Sequence, residues 1–283
     1  MTEIHPLARA CTFLFAPGHR PERFEKALHS GADAVILDLE DAVPLSEKDA
    51  ARDAIRRELV PFLKQCPERI VLRVNACGTP YLEDDLRLVD ELGIRHLMLP
   101  KAESAAQLTS VGQALSFTPV LIPMIESAKG VDQVKAIAAH PHTLRLSLGN
   151  IDLQLSLGLQ CGPDELELLP VRHQILLASR LHEIAAPIDG VTVSSCPSTW
   201  NGALASAISL VARWAAPATS SDAERYALLA SSDSMTRSGV ICSCSAISST
   251  VGERPSSFIN WSTLSFTEAR MSLARRGTCT LHV

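Results

Sequence analysis

The sequence lacks any uncharged apolar run of the roughly 18–20 residues that a membrane-spanning helix requires. Residues 1–10 include Glu3, His5 and Arg9 and do not form the continuous apolar stretch of a signal peptide. We therefore expect no contact with a membrane and a cytoplasmic location.

A surplus of positive charge is also missing. The 26 Lys and Arg residues are outnumbered by 31 Asp and Glu residues, so the formal net charge is -5, and only 4% of residues are aromatic. No basic run with interleaved aromatic residues, which would suit a phosphate backbone, occurs. The eight cysteines include no CxxC pair and no zinc-type spacing to histidine. These absences argue against a nucleic-acid partner, a disulfide framework and a zinc site.

What the sequence does contain, up to residue 193, is a repeating pattern. Short apolar, β-branched runs, which predict strands, alternate with charged segments of helical period. The predicted strands are residues 12–16, 34–39, 69–75, 96–100, 120–126, 144–149 and 188–193. Most are apolar on both faces, as parallel strands under helices are, and no hairpin signal interrupts them. The pattern predicts an α/β fold, a (β/α)8 TIM barrel with seven regular units and an incomplete or altered eighth.

Polar residues close the apolar runs, and in such a barrel the chemistry lies at the C-terminal ends of the strands. They are Pro17 to Arg20, Asp38 to Asp41, Arg73, Asn75, Lys101, Glu103, Glu126, Asn150, Asp152 and Asp189. Carboxylates outnumber cations in this set, as they would around a bound cation.

Glu126 and Asp152 follow consecutive predicted strands, so their carboxylates can supply two hard oxygen ligands to Mg²⁺. Arg73 could then face a substrate carboxylate or thioester oxygen. A structural alternative remains for each residue, because a strand-end carboxylate can cap a helix and an arginine can pair with it. Among Asp38, Glu40 and Asp41, we expect one or two to hold loop backbone or to pair with Arg20 or Arg73.

Six segments occur in this order along the chain: FLFAPGHRPERFEKALHSGADAVILDLEDAVPLSEKDAAR, VLRVN, LMLPKAES, PVLIPMIESAKGV, LSLGNIDLQLSLG and APIDGVTV. Together they resemble one known family, the citrate lyase beta subunit or HpcH/HpaI aldolase superfamily. The resemblance implies a TIM barrel that holds Mg²⁺ through Glu126 and Asp152, with Arg73 contacting substrate and a CoA thioester across the barrel mouth. It also implies assembly as a homotrimer or homohexamer. The substrate-binding set that we expect is Arg20, Asp41, Arg73, Glu126 and Asp189.

The function that this resemblance implies is Mg²⁺-dependent carbon–carbon cleavage. The substrate would be a 3-hydroxyacyl thioester, such as citryl-, malyl- or citramalyl-CoA, or an acyl-carrier-protein thioester in a complex with other citrate lyase subunits. Two alternatives stay open. One is a metal-dependent pyruvate aldolase that uses no CoA, and the other is a catalytically inactive, truncated family member.

The composition changes after residue 193. Residues 194–283 contain 20 serines, against 9 in the preceding 193 residues, and no lysine. The family's Gly-Gly-Lys segment and His-Pro are missing, which suggests a shift of reading frame near codon 194. Leu-Val-Ala-Arg-Trp-Ala at residues 210–215 is what Phe-Gly-Gly-Lys-Met-Gly gives when one possible coding sequence for it, TTT GGT GGC AAG ATG GGC, is read one base later. A genuine, divergent or disordered Ser-rich extension is the alternative.

Overall fold

A closed eight-stranded barrel forms the centre of the computed structural model, which describes residues 4–162, 164–192 and 240–243. The strands are β1 (Thr12–Pro17), β2 (Ala34–Asp38), β3 (Ile70–Arg73), β4 (His96–Leu99), β5 (Val120–Ile125), β6 (Arg145–Leu148), β7 (Ala185–Thr192) and β8 (Val240–Ser243). β1 to β7 pair in parallel in chain order. β8 closes the barrel by pairing antiparallel with both β1 and β7.

Helices pack around the outside and the N-terminal end of the barrel. They are α1 (Pro6–Arg9), α2 (Phe24–Leu28), α3 (Lys48–Glu58), α4 (Val60–Gln65), α5 (Leu82–Leu92), α6 (Ala105–Gln113), α7 (Ala128–Asp132), α8 (Val134–Ala138), α9 (Asn150–Leu157) and α10 (Leu169–Leu181). Local sequence sets several of their ends. Ser104 and Gln107 form a reciprocal capping box at the start of α6. Gly93 and Gly158 end α5 and α9 in left-handed conformations that glycine adopts readily.

The strands are apolar on both faces because each face packs into a separate core. Phe13, Ile36 and Val71 belong to a cluster inside the barrel, whereas Leu37 and Leu72 pack outward against the helices. All five are at most 1% exposed. Each such side chain contributes roughly 1.5–3 kcal/mol when it is buried, so the two cores together fix the strand order and the positions of the strand ends.

The N-terminal end of the barrel is closed by α1 and a fully buried arginine. The guanidinium of Arg145 donates hydrogen bonds to the carbonyl oxygens of Leu7 (2.7 Å), Ala10 (2.9 Å) and Ala186 (2.8 Å). It also lies over the ring of Phe13. This end of the barrel therefore has a structural role, and the polar residues of the sequence pattern gather at the opposite end.

The structure confirms the predicted α/β barrel and its seven parallel strands, with β7 starting three residues earlier than expected. The eighth unit is altered, as predicted, since its strand is antiparallel and comes from residues 240–243. Most of residues 194–283, including the Leu210–Ala215 segment, lies outside the described residues. No helix in the described part of the chain is long and apolar enough to span a membrane.

Candidate active site

A buried ion pair between β2 and β3 forms one side of the barrel mouth. Asp38 ends β2 and Arg73 ends β3, and Arg73 Nε and Nη2 each donate to a different oxygen of Asp38 at 2.6 Å. The same carboxylate accepts the backbone N–H groups of Glu40 and Ala42, both at 2.9 Å. Burial by itself would raise the pKa of Asp38, but the charge and hydrogen bonds of Arg73 outweigh it and hold that pKa below its usual range.

The loop after β2 is held by further donors from neighbouring elements. The buried Lys48 ammonium donates to the carbonyl oxygens of Leu39 (2.6 Å) and Glu40 (2.7 Å). Asn75 Nδ2, after β3, donates to Leu39 O at 3.0 Å and to Asp85 at 2.7 Å. These contacts fix the loop, and they point the Glu40 carboxylate toward Arg73 Nη1 (3.2 Å) and Lys101 Nζ (2.7 Å).

Glu126, directly after β5, lies on the other side of the mouth. Its side chain is 5% exposed, and Oε1 accepts the backbone N–H of Lys101 at 2.6 Å. Burial is the main cause that raises the pKa of Glu126 to about 8, and the nearby negative charge of Glu40 adds to it. Gly149 leaves room for this carboxylate, because a Cβ atom there would stand 2.3 Å from Glu126 Oε2.

Asp152 lies in the first turn of α9, four residues beyond the end of β6, and its side chain is about one-third exposed. Lys101 connects it to the rest of the cluster, since Lys101 Nζ is 3.3 Å from Asp152 Oδ2 and 2.7 Å from Glu40 Oε1. Burial opposes the charge of Lys101, but the hydrogen bond and charge of Glu40 raise the pKa of this ammonium. The structure thus brings Arg73, Glu126 and Asp152 to one end of the barrel.

The residues at this mouth fit a Mg²⁺ ion. Glu126 and Asp152 offer oxygen donors, and Mg²⁺ commonly binds one or two protein carboxylates and leaves its other positions to water and substrate. The glycine at 149 preserves the space beside Glu126 that a side chain would fill. A buried carboxylate with a raised pKa is also the kind of group that a cation stabilises. No set of three or more His, Cys, Asp or Glu side chains forms a metal cage within the described residues.

The three remaining predicted substrate-binding residues lie apart from this cluster or at its edge. Asp189 in β7 accepts a hydrogen bond from Arg172 Nε at 2.8 Å. Arg20 is 54% exposed and lies 3.8 Å from Glu22. Asp41 is 57% exposed and lies 3.9 Å from Lys101 Nζ. Their role in substrate binding stays a prediction.

Arg172 and Asn150 build a second polar group beside β7. Arg172 Nη2 is 2.5 Å from Glu165 Oε2, and Asn150 donates to Glu165 Oε1 at 2.7 Å. Asn150 Oδ1 also accepts the backbone N–H of Val191 at 3.0 Å. Gly190 permits this approach, because a Cβ atom there would lie 2.3 Å from the Asn150 amide carbon. These contacts hold α9, which carries Asp152, against β7.

Two participants, Glu40 and Lys101, were placed at strand ends by the sequence pattern but were given no binding role. Only the structure shows that Lys101 contacts Glu40, Glu126 and Asp152. The position of Lys101 directly after the fourth predicted strand indicates that it lies at the barrel mouth. That position does not predict the left-handed main-chain conformation of Lys101.

Residues 11–205 match the sequence profile of the HpcH/HpaI aldolase/citrate lyase family. The chain belongs to this family. It is 36% identical over 202 residues to a citrate lyase subunit beta-like protein from Deinococcus radiodurans, covering 69% of this chain and 70% of that protein. It is 35% identical over 189 residues to (3S)-malyl-CoA thioesterase from Cereibacter sphaeroides, covering 67% and 64% of the two chains. The chain thus spans about two thirds of the length of these curated relatives.

Solved structures of CitE from Mycobacterium tuberculosis share the fold. One is in complex with magnesium and pyruvate, with a TM-score of 0.61 and 35% identity over 69% of this chain and 80% of that one. Another is in complex with magnesium, acetoacetate and coenzyme A, with a TM-score of 0.60 and 35% identity over 69% and 71%. A citrate lyase beta subunit from the same organism is complexed with oxaloacetate and magnesium, with a TM-score of 0.62 and 34% identity over 72% and 89%.

Proposed function

We propose that this protein is a Mg²⁺-dependent carbon–carbon lyase acting on a 3-hydroxyacyl thioester. The observation that carries the proposal is the arrangement of Glu126 and Asp152 on either side of Lys101, with the buried Arg73 at the same barrel mouth. The magnesium and keto-acid complexes of the solved relatives support it. Cleavage would break the bond between the carbinol carbon and the carbon next to the thioester, giving a keto acid and an acyl thioester.

The burial and charge of each residue indicate its role in the reaction. Glu126 and Asp152 would hold Mg²⁺, which supplies Lewis-acid stabilisation of a keto-acid oxygen when bound. Arg73 keeps donor hydrogens on its two terminal nitrogens beyond those that Asp38 accepts, so it can bind a substrate carboxylate or thioester oxygen. Because both oxygens of Asp38 hold the Nε and Nη2 edge of the guanidinium, this donor is oriented before substrate binds.

The thioester is proposed to be carried by CoA, since one solved relative is in complex with coenzyme A. An acyl-carrier-protein thioester, presented within a complex with other citrate lyase subunits, is the alternative form of the same proposal.

We also propose that Arg20, Asp41 and Asp189 contact the substrate, and that the protein assembles as a homotrimer or homohexamer. Residues 1–193 would form the seven regular units of the lyase domain, and residues 194–283 would be an atypical, Ser-rich segment that contributes β8 to the barrel. The coding DNA around codon 194 tests the reading-frame hypothesis.

The direct test is an assay of the purified protein with citryl-, malyl- and citramalyl-CoA, with and without Mg²⁺. We expect Mg²⁺-dependent release of both a keto acid and an acyl-CoA, and we expect Arg73→Ala to lower kcat more than it weakens Mg²⁺ binding. Release of free CoA with an intact hydroxy acid would instead indicate thioester hydrolysis, as the name of the Cereibacter relative describes.

Two other outcomes correspond to the alternative functions. Pyruvate release from a hydroxy-keto acid that carries no CoA would indicate the aldolase. Mg²⁺ binding without turnover of any of these substrates would indicate an inactive family member. Either result would contradict the lyase proposal.

A further inference from the structure

Lys101 makes two different contacts with the residues proposed to hold the metal, one through its main chain and one through its side chain. Its backbone has a φ of 49°, a left-handed conformation that residues with a side chain other than Asn or Asp rarely adopt. The N–H group in this conformation lies 2.6 Å from Glu126 Oε1. The strained backbone thus accompanies a specific contact with one of the two carboxylates.

The side chain of Lys101 places a positive charge among three other carboxylates. Its ammonium nitrogen lies 2.7 Å from Glu40 Oε1, 3.3 Å from Asp152 Oδ2 and 3.9 Å from Asp41 Oδ1. Arg73 differs from it, because Asp38 engages the Arg73 guanidinium with both oxygens. Of these two cations, Lys101 is the one in direct contact with Asp152.

We propose that Lys101 is a positioning residue that acts as a built-in counter-cation: it holds Glu126 and Asp152 in place and weakens the affinity of the site for divalent metal. The inference deepens the proposed function, on whose assignment of Glu126 and Asp152 as metal ligands it rests. Because Lys101 Nζ is 3.3 Å from Asp152 Oδ2, a divalent ion held by Asp152 would come close to the ammonium group. At such a separation two positive charges repel appreciably even when the surroundings screen them well.

This role has a consequence for substrate binding. A keto acid brings its own carboxylate into the site, and that negative charge offsets the repulsion between the ammonium group and the metal. Mg²⁺ and a keto acid such as pyruvate should therefore bind cooperatively, and part of that cooperativity should depend on the charge of Lys101.

The test compares Mg²⁺ binding by wild type, Lys101→Met and Lys101→Arg using isothermal titration calorimetry on the full chain. Lys101→Met keeps a side chain of similar length and the main-chain N–H but removes the charge. We expect it to tighten Mg²⁺ binding by about tenfold and to reduce the gain in Mg²⁺ affinity that saturating pyruvate produces. Lys101→Arg should stay within about threefold of wild type, because it retains the charge.

Lys129→Met is the matched control. Lys129 is an exposed lysine that pairs with Glu103 at 3.2 Å and contacts neither proposed ligand. The Lys129→Met variant loses the same single charge, but at an exposed position where solvent and salt screen it. We therefore expect its Mg²⁺ affinity to stay within about twofold of wild type. A structural defect at residue 101 would weaken metal binding, so a tighter site separates the proposed role from simple damage.

The outcomes distinguish this inference from the proposed function. Equal or weaker Mg²⁺ binding by Lys101→Met, with normal binding by wild type, overturns the inference and leaves the metal site intact. If Lys101→Met binds Mg²⁺ and wild type does not, the charge of Lys101 prevents metal binding in the absence of substrate, and this result supports the inference. If neither protein binds Mg²⁺, both the inference and the metal-dependent function are contradicted.

Discussion

The pKa values of two buried carboxylates at the same barrel mouth, Asp38 and Glu126, are shifted in opposite directions. Asp38 has an internal cation, Arg73, and accepts two backbone N–H groups, so its pKa lies below the usual range. Glu126 accepts one backbone N–H among the described residues, and burial raises its pKa to about 8. The difference separates a carboxylate that organises the protein from the one that we propose as a metal ligand. We expect substitutions at the two positions to act in opposite directions.

The largest effect should come from breaking the Asp38–Arg73 pair. Asp38→Ala leaves the buried guanidinium with only its 3.2 Å ion pair to Glu40 among the described residues, and removing one partner of a buried ion pair typically costs about 3–5 kcal/mol in the free energy of unfolding. Urea denaturation would measure it. The control is Asp53→Ala, which breaks an exposed pair with Arg56 and should cost less than about 1 kcal/mol. Similar losses in the two variants would remove the structural role of Asp38.

Glu126→Gln should have the opposite effect in metal-free protein. The pKa of Glu126 is raised in the folded state, so the folded state binds more protons than the unfolded state between about pH 4.5 and 8. The stability of wild type should therefore fall as pH rises through this window. At pH 8.5 the glutamine variant should be more stable by a few kcal/mol, because each unit of the pKa shift corresponds to about 1.4 kcal/mol, and this gain should shrink toward pH 5. Thermal unfolding at several pH values measures this, and a pH-independent difference would contradict it.

Gly149→Ala should disturb Glu126 without changing any charge. The added Cβ atom would meet Glu126 Oε2 at 2.3 Å and Glu126 Cβ at 2.6 Å, so the carboxylate must move. We expect Mg²⁺ affinity to fall by about tenfold, as it does when groups that orient a metal ligand are changed. Gly162→Ala is the control, because its new Cβ atom would meet only the ends of acidic side chains. Unchanged Mg²⁺ affinity in Gly149→Ala would show that Glu126 does not bind the metal.

The smallest effect is expected at the rim of the mouth. Arg20 is more than half exposed, so Arg20→Ala should change the free energy of unfolding by less than about 0.5 kcal/mol. If Arg20 contacts the thioester substrate, KM should rise about fivefold, which corresponds to roughly 1 kcal/mol for a solvent-exposed charged contact. An unchanged KM for the CoA substrate would remove Arg20 from the binding site.

Much of this arrangement follows from the sequence because local patterns determine it. Strands that are apolar on both faces predicted the barrel, and the residues after them were correctly placed at one end. The sequence also predicts that one or two of the acidic residues at the end of the second strand have a structural role. Asp38 has this role, because it pairs with Arg73 and accepts a hydrogen bond from the loop backbone.

The remaining features depend on contacts between distant segments. The left-handed conformation of Lys101 and its contacts with Glu40 and Asp152 require the packing of three strand ends, which no local pattern encodes. The contact of Asp189 with Arg172 depends on where α10 crosses β7. The antiparallel β8 pairs residues far from β1 and β7 in the chain, so its direction could not be read from a seven-unit repeat.

Proton release on Mg²⁺ binding tests whether the buried carboxylate of Glu126 binds the cation. Calorimetric titrations at pH 7 in two buffers of different ionisation enthalpy give the number of protons released per ion. With a pKa of about 8, Glu126 should release about 0.9 proton per Mg²⁺ at pH 7 and almost none at pH 9.5. Mg²⁺ binding that releases no proton at pH 7, or that persists unchanged in Glu126→Gln, would contradict it.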